Sequence, residues 1–223
     1  MKPFRNYFLL LLLFIGSLAQ AQDSIKKPGI LFDISVGSST RLGKKNPDQA
    51  TQSYTEKLRS GISYEASLYF RVKPETNHFI GFKYNSFHKE AGIRGSYAPY
   101  AGNASDKINL GFYGLGYMYN STDNDDKSEW MLEGSVGYMT YKDKAELDSK
   151  KYEITGGSVG FSVAGAYYIK IYKSIHVGPK LSLFVGSVKE LDITGLSGTS
   201  QITPELAESL TRFDAAASIR FKF

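Results

Sequence analysis

Cysteine is absent from this 223-residue chain, tryptophan occurs once and histidine three times. Without cysteine there are no disulfide staples, and there is no attachment point for a lipid just after an export signal. Long apolar runs are also scarce. Mean hydropathy is −0.27, and beyond Ala21 no segment offers the roughly 18 or more consecutive apolar residues of a helical membrane span. A basic tract is missing too. The net charge of +5 is scattered and includes Lys2 and Arg5 at the start of the chain, so nucleic acid is not an expected partner, while a weak attraction to lipid phosphates is compatible with it.

What the chain does have is Tyr (16), Phe (14) and Gly (22), an inventory that suits strands with aromatic rings at two membrane interfaces. It opens on Lys2 and Arg5, an unbroken apolar run from Tyr7 to Ile15, and the small-x-small set Ala19-Gln20-Ala21. That pattern predicts a secretory signal peptide over 1–21, cleaved after Ala21. Residues 22–28 then form a short periplasmic lead, and 29–223 a single domain.

Within that domain, apolar residues recur at alternate positions, the period of a strand with one greasy face. Ile30, Phe32, Ile34 and Val36 alternate with Asp33 and Ser35; Ile62, Tyr64, Ala66, Leu68 and Phe70 alternate with Ser63, Glu65 and Ser67. Ile80, Phe82 and Tyr84 follow, then Trp130, Leu132, Val136 and Tyr138, then Val159, Phe161, Val163 and Tyr167, then Val177, Leu181, Leu183 and Val185. The last run, from Phe213 to Phe223, keeps odd positions apolar while Arg212, Asp214, Ser218, Arg220 and Lys222 take the even ones. One run is ambiguous. Ile108, Leu110 and Phe112 set a phase, but Tyr113-Gly114-Leu115-Gly116-Tyr117 would fit the opposite phase after a bulge, and the face of Tyr113 stays open.

These runs predict an all-β fold: an eight-stranded antiparallel up-and-down transmembrane β-barrel, since only alternate residues need face lipid and a closed barrel leaves no edge in the membrane. The connections alternate accordingly, with long loops expected at Gly43–Lys57, Lys89–Asp106, Asp143–Tyr152 and Lys189–Ser209 and short polar turns between them. The signal peptide, the alternating strands and the terminal Ile219-Arg220-Phe221-Lys222-Phe223 together resemble the small outer-membrane β-barrel family. More narrowly, the chain is similar to the OmpA/OmpX-type outer membrane protein β-barrel domains common in the Bacteroidota. That resemblance implies residence in the cell outer membrane, contact with its lipids, and delivery by the barrel-assembly machinery. In the family the terminal aromatic strand carries the assembly signal, here Ile219, Phe221 and Phe223. It does not imply an activity.

Opposite the greasy positions lie Asp33, Glu65, Lys83, Glu133, Lys180, Arg212, Asp214 and Arg220. Both signs are present, and a barrel of eight strands has an interior only wide enough for side chains, so these charges are expected to pair across a filled, poorly conducting lumen. Enzyme chemistry finds little support. His78 and His176 fall at the inner rim; His88, in Phe87-His88-Lys89-Glu90, is near the outer rim, where a lipid A esterase or acyltransferase would work, but no spacing marks a serine partner. Asp123-Asn124-Asp125-Asp126 lacks the glycine and distal glutamate of a calcium loop, and the glycines of Gly111–Gly116 precede no helix, so neither metal nor nucleotide cofactor is expected. Thr203-Pro204-Glu205-Leu206 predicts a short helical turn, and Tyr97 and Tyr100, flanking Pro99, are possible surface contacts. The expected function is a non-enzymatic, monomeric structural or surface-interaction scaffold. A small passive channel is the alternative, and an outer-leaflet lipid-modifying enzyme the third reading.

Overall fold

The computed structural model describes residues 28–43, 56–97, 100–122, 127–148, 150–195, 198–203 and 207–223. The expected signal peptide, most of the connection from Gly43 to Lys57, Asp123–Asp126, Pro99 and the proline turn at 204–206 lie outside the described residues. The strands, in order, are β1 (Ile30–Arg41), β2 (Ser60–Arg71), β3 (His78–Tyr97), β4 (Tyr100–Thr122), β5 (Ser128–Leu147), β6 (Lys150–Tyr172), β7 (Ile175–Val185), β8 (Ser187–Val188), β9 (Leu191–Gly195), β10 (Gly198–Ile202), β11 (Glu208–Ser209) and β12 (Arg212–Lys222).

Strands β1 to β7 pair antiparallel in sequence order, β7 pairs with β12, and β12 returns to β1, so eight strands close into a ring. The register fixes its shape. Leu31 aligns with Tyr69, then Gly81, Gly116, Ser135, Ser162, Phe184 and Arg212, and the circuit returns to β1 at Arg41. The closing offset is therefore 41 − 31 = 10 residues. With a strand spacing of about 4.8 Å and a rise of about 3.4 Å per residue, that offset sets a strand tilt of about 40° and a backbone radius of about 8 Å.

Alternation then sorts the side chains. Inward positions are buried; outward ones, among them Ile34, Val36, Tyr64, Leu68, Ile80, Phe82, Leu115, Leu132, Val163 and Leu181, are large, apolar and exposed. Such a continuous greasy belt has no place in water; it is a surface for lipid. Aromatic rings edge it at both ends. Tyr84 packs tilted against Tyr113 with ring centroids 5.0 Å apart on one rim, and Tyr119 against Trp130 at 5.4 Å on the other. From Trp130 to Tyr138 the strand climbs about 20 Å along the axis, close to the ~25 Å band of barrels that span membranes.

One ambiguity is resolved here and one expectation corrected. First, the pairing β3–β4 runs without a register shift, so no bulge intervenes: Tyr113, Leu115 and Tyr117 face outward, while Ile108, Leu110 and Phe112 point into the ring and are buried. Second, Lys89–Asp106 and Asp143–Tyr152 are not loops. β3 and β4 stay paired up to Tyr97 opposite Tyr100, and β5 and β6 up to Leu147 opposite Lys150. Hydrophobic alternation reports contact with lipid, not pairing; above the belt the outer face of the sheet meets water instead of lipid, so the pattern fades while the hydrogen bonds continue. Lys189–Ser209 likewise contains β9, β10 and β11.

One seam is irregular. The β6–β7 ladder omits Tyr167 and Tyr168 opposite Pro179 and Gly178. Proline has no N–H to donate, and it sits here with its side chain outward. At Gly81 the strands pass so close that a Cβ would meet the Leu68 carbonyl oxygen, a site only glycine fills.

Candidate functional site

The interior of the ring is built from side chains drawn from every strand. Asp33, Glu65, Lys83, Glu133, Lys180, Arg212, Asp214 and Arg220 all point inward and are buried. Glu129 and Lys222 join them. Among the described residues, those within the span make five acids (Asp33, Glu65, Glu129, Glu133, Asp214) and five bases (Lys83, Lys180, Arg212, Arg220, Lys222), a balanced set.

They sort into layers. In the middle, Lys83 lies 2.8 Å from Glu133 and 3.3 Å from Glu65, while Lys180 lies 2.5 Å from Glu65 and 3.3 Å from Glu133. Each lysine thus bridges both glutamates, and each glutamate both lysines. Ser135 adds a hydroxyl to Glu133 at 2.9 Å. Towards the end of the ring where β1 begins and β12 finishes, Arg220 donates from Nε and Nη2 to the two oxygens of Asp33 at 2.7 and 2.6 Å, and from Nη1 to Asn120 at 2.6 Å and Glu129 at 3.2 Å. Lys222 holds Glu129 at 2.8 Å, and the Tyr168 ring lies 4.3 Å beneath the Arg220 guanidinium. Buried charges persist only when paired and hydrogen-bonded this fully.

Above the charges the interior turns apolar. Phe87, Leu110, Phe112, Met139 and Phe184 from the wall meet Leu58, Val188, Leu191 and Leu210 from the connections, and together they form an apolar layer at the opposite end of the ring. The pair β8–β11 carries Val188 over the mouth. A smaller apolar cluster, Leu31, Tyr69, Phe79, Met118, Met131 and Tyr168, fills the space around the lower charges.

Outside the belt, β3, β4, β5 and β6 rise together as one sheet, and β9 and β10 extend it at the β6 edge. The opposite side, β12–β1–β2, stops near the rim. Every residue of β10 is exposed. Tyr97 and Tyr100 are register partners at the turn of the β3–β4 hairpin. On the inner face of this raised sheet Asp143 is buried, accepts from the Tyr141 hydroxyl at 3.3 Å, and is pushed up to about 6 by burial, with nearby Asp106 adding to the effect. Burial likewise raises the Tyr141 phenol. On the outer face, Lys142 pairs with Glu153 at 2.6 Å.

The histidines are scattered. His78 opens β3 against the Tyr117 hydroxyl at 2.5 Å, His88 meets Asn109 at 2.8 Å on the outer side, and His176 is buried inside the ring. Among the described residues, no group of three or more His, Cys, Asp or Glu side chains is placed to hold a metal. Sequence reasoning missed Glu129, Lys222, Asn85 and Asn120 as interior partners. Their parity was the available signal: Glu129 matches Glu133, Lys222 matches Arg220, and Asn85 matches Lys83.

No protein-family model and no curated protein matches the chain. Solved structures do. A major outer membrane protein from Thermus thermophilus superposes with a TM-score of 0.58 at 10% identity, covering 87% of this chain and 99% of that one. The outer membrane protease OmpT of Escherichia coli gives 0.53 at 10% identity, with 91% and 99% covered. The outer membrane protein OprG of Pseudomonas aeruginosa gives 0.51 at 12% identity, with 88% and 97% covered. A closed ring, a lipid belt with two aromatic rims and these likenesses converge: the fold of this chain is that of an outer-membrane β-barrel.

Proposed function

We propose that this chain is an eight-stranded, non-enzymatic barrel of the OmpA/OmpX type, exported by its leader and working as a monomeric scaffold that presents a raised β-sheet at the cell surface. The observation that carries the reading is the one-sided extension of β3–β6 with β9 and β10, standing on a ring whose interior is filled by paired charges. An exposed strand such as β10, paired on one side only among the described residues, offers backbone donors and acceptors along its other edge to a partner in extended conformation. Outer-membrane lipids cover the belt, and the assembly machinery reads Ile219, Phe221 and Phe223. Among the similar structures one is a protease by name, so the fold alone does not decide against catalysis. What favours the scaffold is the engagement of the His88 ring nitrogen by the Asn109 side chain, where a catalytic base would face a nucleophile.

Two measurements test this reading. Purified protein in planar bilayers should show no steady ion current, because the Lys83–Glu65–Lys180–Glu133 layer crosses the lumen; reproducible channels at high purity would promote the passive-channel reading. Cells carrying a barrel with β3–β4 shortened to the rim should lose surface attachment while keeping normal barrel levels. Unchanged attachment, with altered lipid A chemistry on gene loss, would favour an enzyme instead.

A further inference from the structure

Two arginines are fully buried in the ring, and they are served very differently. Arg220 spends its donors on Asp33, Asn120 and Glu129. Arg212, equally buried, has one good acceptor: its Nη2 donates to Asn85 Oδ1 at 2.6 Å. Its nearest carboxylate, Asp214, is 3.6 Å from Nε, and Nε and Nη1 meet no hydrogen-bond acceptor among the described residues. Asp214 is committed elsewhere, receiving the Ser39 hydroxyl at 2.5 Å and the Asn85 amide at 3.1 Å. One face of the guanidinium is covered by the Phe184 ring, 4.2 Å away.

Beside it stands a second cation. Arg41 is the register partner of Arg212 across β1–β12, on the same inner face. Its Nη2 binds Glu208 and the Ser209 carbonyl, but its Nε also meets no acceptor among the described residues. Glu208 sits towards solvent, with its side chain 38% exposed, so its charge is screened where the Arg212 charge is not. Arginine does not shed its proton to relieve such a situation. Two register-paired arginines with donors left over, one of them walled by an aromatic ring, favour an anionic acceptor in addition to the counter-charges of Asp214 and Glu208.

We propose that Arg212 and Arg41 form a binding site for a small inorganic anion of halide size at the extracellular end of the lumen. Arg41, whose side chain is 15% exposed, is the approach from the cell surface. The anion would accept from Arg212 Nη1 and Nε and Arg41 Nε, cancel the repulsion across β1–β12, and lock that seam beneath the apolar cap. The site is independent of the surface-scaffold reading.

The test uses the full barrel in neutral detergent, with chloride as the probe and gluconate holding ionic strength fixed. Raising chloride from about 1 mM to about 300 mM should lift the unfolding midpoint by several degrees, as expected for a ligand of the folded state alone. Gluconate should not. Arg41→Gln should lose most of that lift, and Arg212→Gln all of it, while Lys107→Gln on the outer face keeps it. If Arg212→Gln does not fold, Arg41→Gln carries the test, because its side chain is partly exposed and its removal leaves the β1–β12 ladder intact. Equal midpoints in chloride and gluconate would mean that water, not an anion, serves these donors. A chloride effect that survives Arg41→Gln unchanged would place the anion elsewhere. Either result overturns the proposal.

Discussion

Replacing Glu133 by glutamine is the sharpest probe of the interior. The side chain keeps its size, but Lys83 at 2.8 Å and Lys180 at 3.3 Å are left to share Glu65 alone. Both lysines are buried, so the surplus positive charge cannot be hydrated without opening the ring. Breaking a buried pair from one side typically costs about 3–5 kcal/mol, and Glu133→Gln, which deprives two lysines of a counter-charge at once, falls in that range. The companion variant removes a base as well. Glu133→Leu with Lys180→Met leaves Lys83 and Glu65, 3.3 Å apart, as a neutral pair, and swapping a buried pair for apolar groups is often close to neutral. Urea unfolding of the refolded barrel in lipid vesicles, followed by tryptophan fluorescence from Trp130, measures both. Glu133→Gln should lose several kcal/mol, and the balanced double much less than the sum of the singles Glu133→Leu and Lys180→Met measured beside it, giving a coupling of at least about 2 kcal/mol. If the double costs as much as the sum of its singles, the four groups do not act as one network, and the filled-lumen argument fails with them.

Other expectations follow from the same physical picture. Asp143 has its folded pKa pushed up to about 6 from 3.8, so its charged form burdens the raised sheet above pH 6. That burden lifts as pH falls through 6 towards 4 and is fully gone below the unfolded value. Amide exchange in upper β4 and β5, corrected for intrinsic rate, should therefore slow between pH 7.5 and pH 5, and Asp143→Asn should abolish the difference. Phe223 exchanges two backbone hydrogen bonds with Ile30 at 2.9 Å, and Phe221 stacks on Phe32 at 6.1 Å; removing Phe223 should lower the amount inserted in cells, with refolding in detergent less affected. Equal membrane levels would count against an assembly role. Gly81→Val drives a side chain into the Leu68 carbonyl, so it should destabilise the barrel by about 1–3 kcal/mol or prevent folding; a wild-type urea midpoint would show that β2 and β3 can separate there.

The belt was legible because lipid enforces strict alternation, and the parity of Glu65, Lys83 or Arg220 follows from it directly. Alternation identifies two faces without saying which is inside, however. In β4 both parities are apolar: Ile108, Leu110 and Phe112 fill the lumen under the cap, and Tyr113, Leu115 and Tyr117 meet lipid. Only the neighbouring strands, through the register, decide between them. The raised sheet was invisible for a related reason. Residues such as Lys89, Glu90, Lys142 and Lys144 sit on a sheet with water on its outer face, so no apolar rhythm marks it. The partners within the lumen were out of reach altogether, since Arg220 and Asp33 are 187 positions apart and Arg212 meets Arg41 only after a complete circuit.

That last separation bears on how the protein enters a membrane. Asp33 on β1 and Arg220 on β12 come together only where the first and last strands of the ring join. A sheet inserted with that seam open would expose an unpaired aspartate and an unpaired arginine at membrane depth, and its lysine–glutamate layer would lack the opposite wall. Each stray charge would cost several kcal/mol. Partly inserted sheets are therefore poor resting states, and closure of the seam and passage into lipid are expected to be one concerted event.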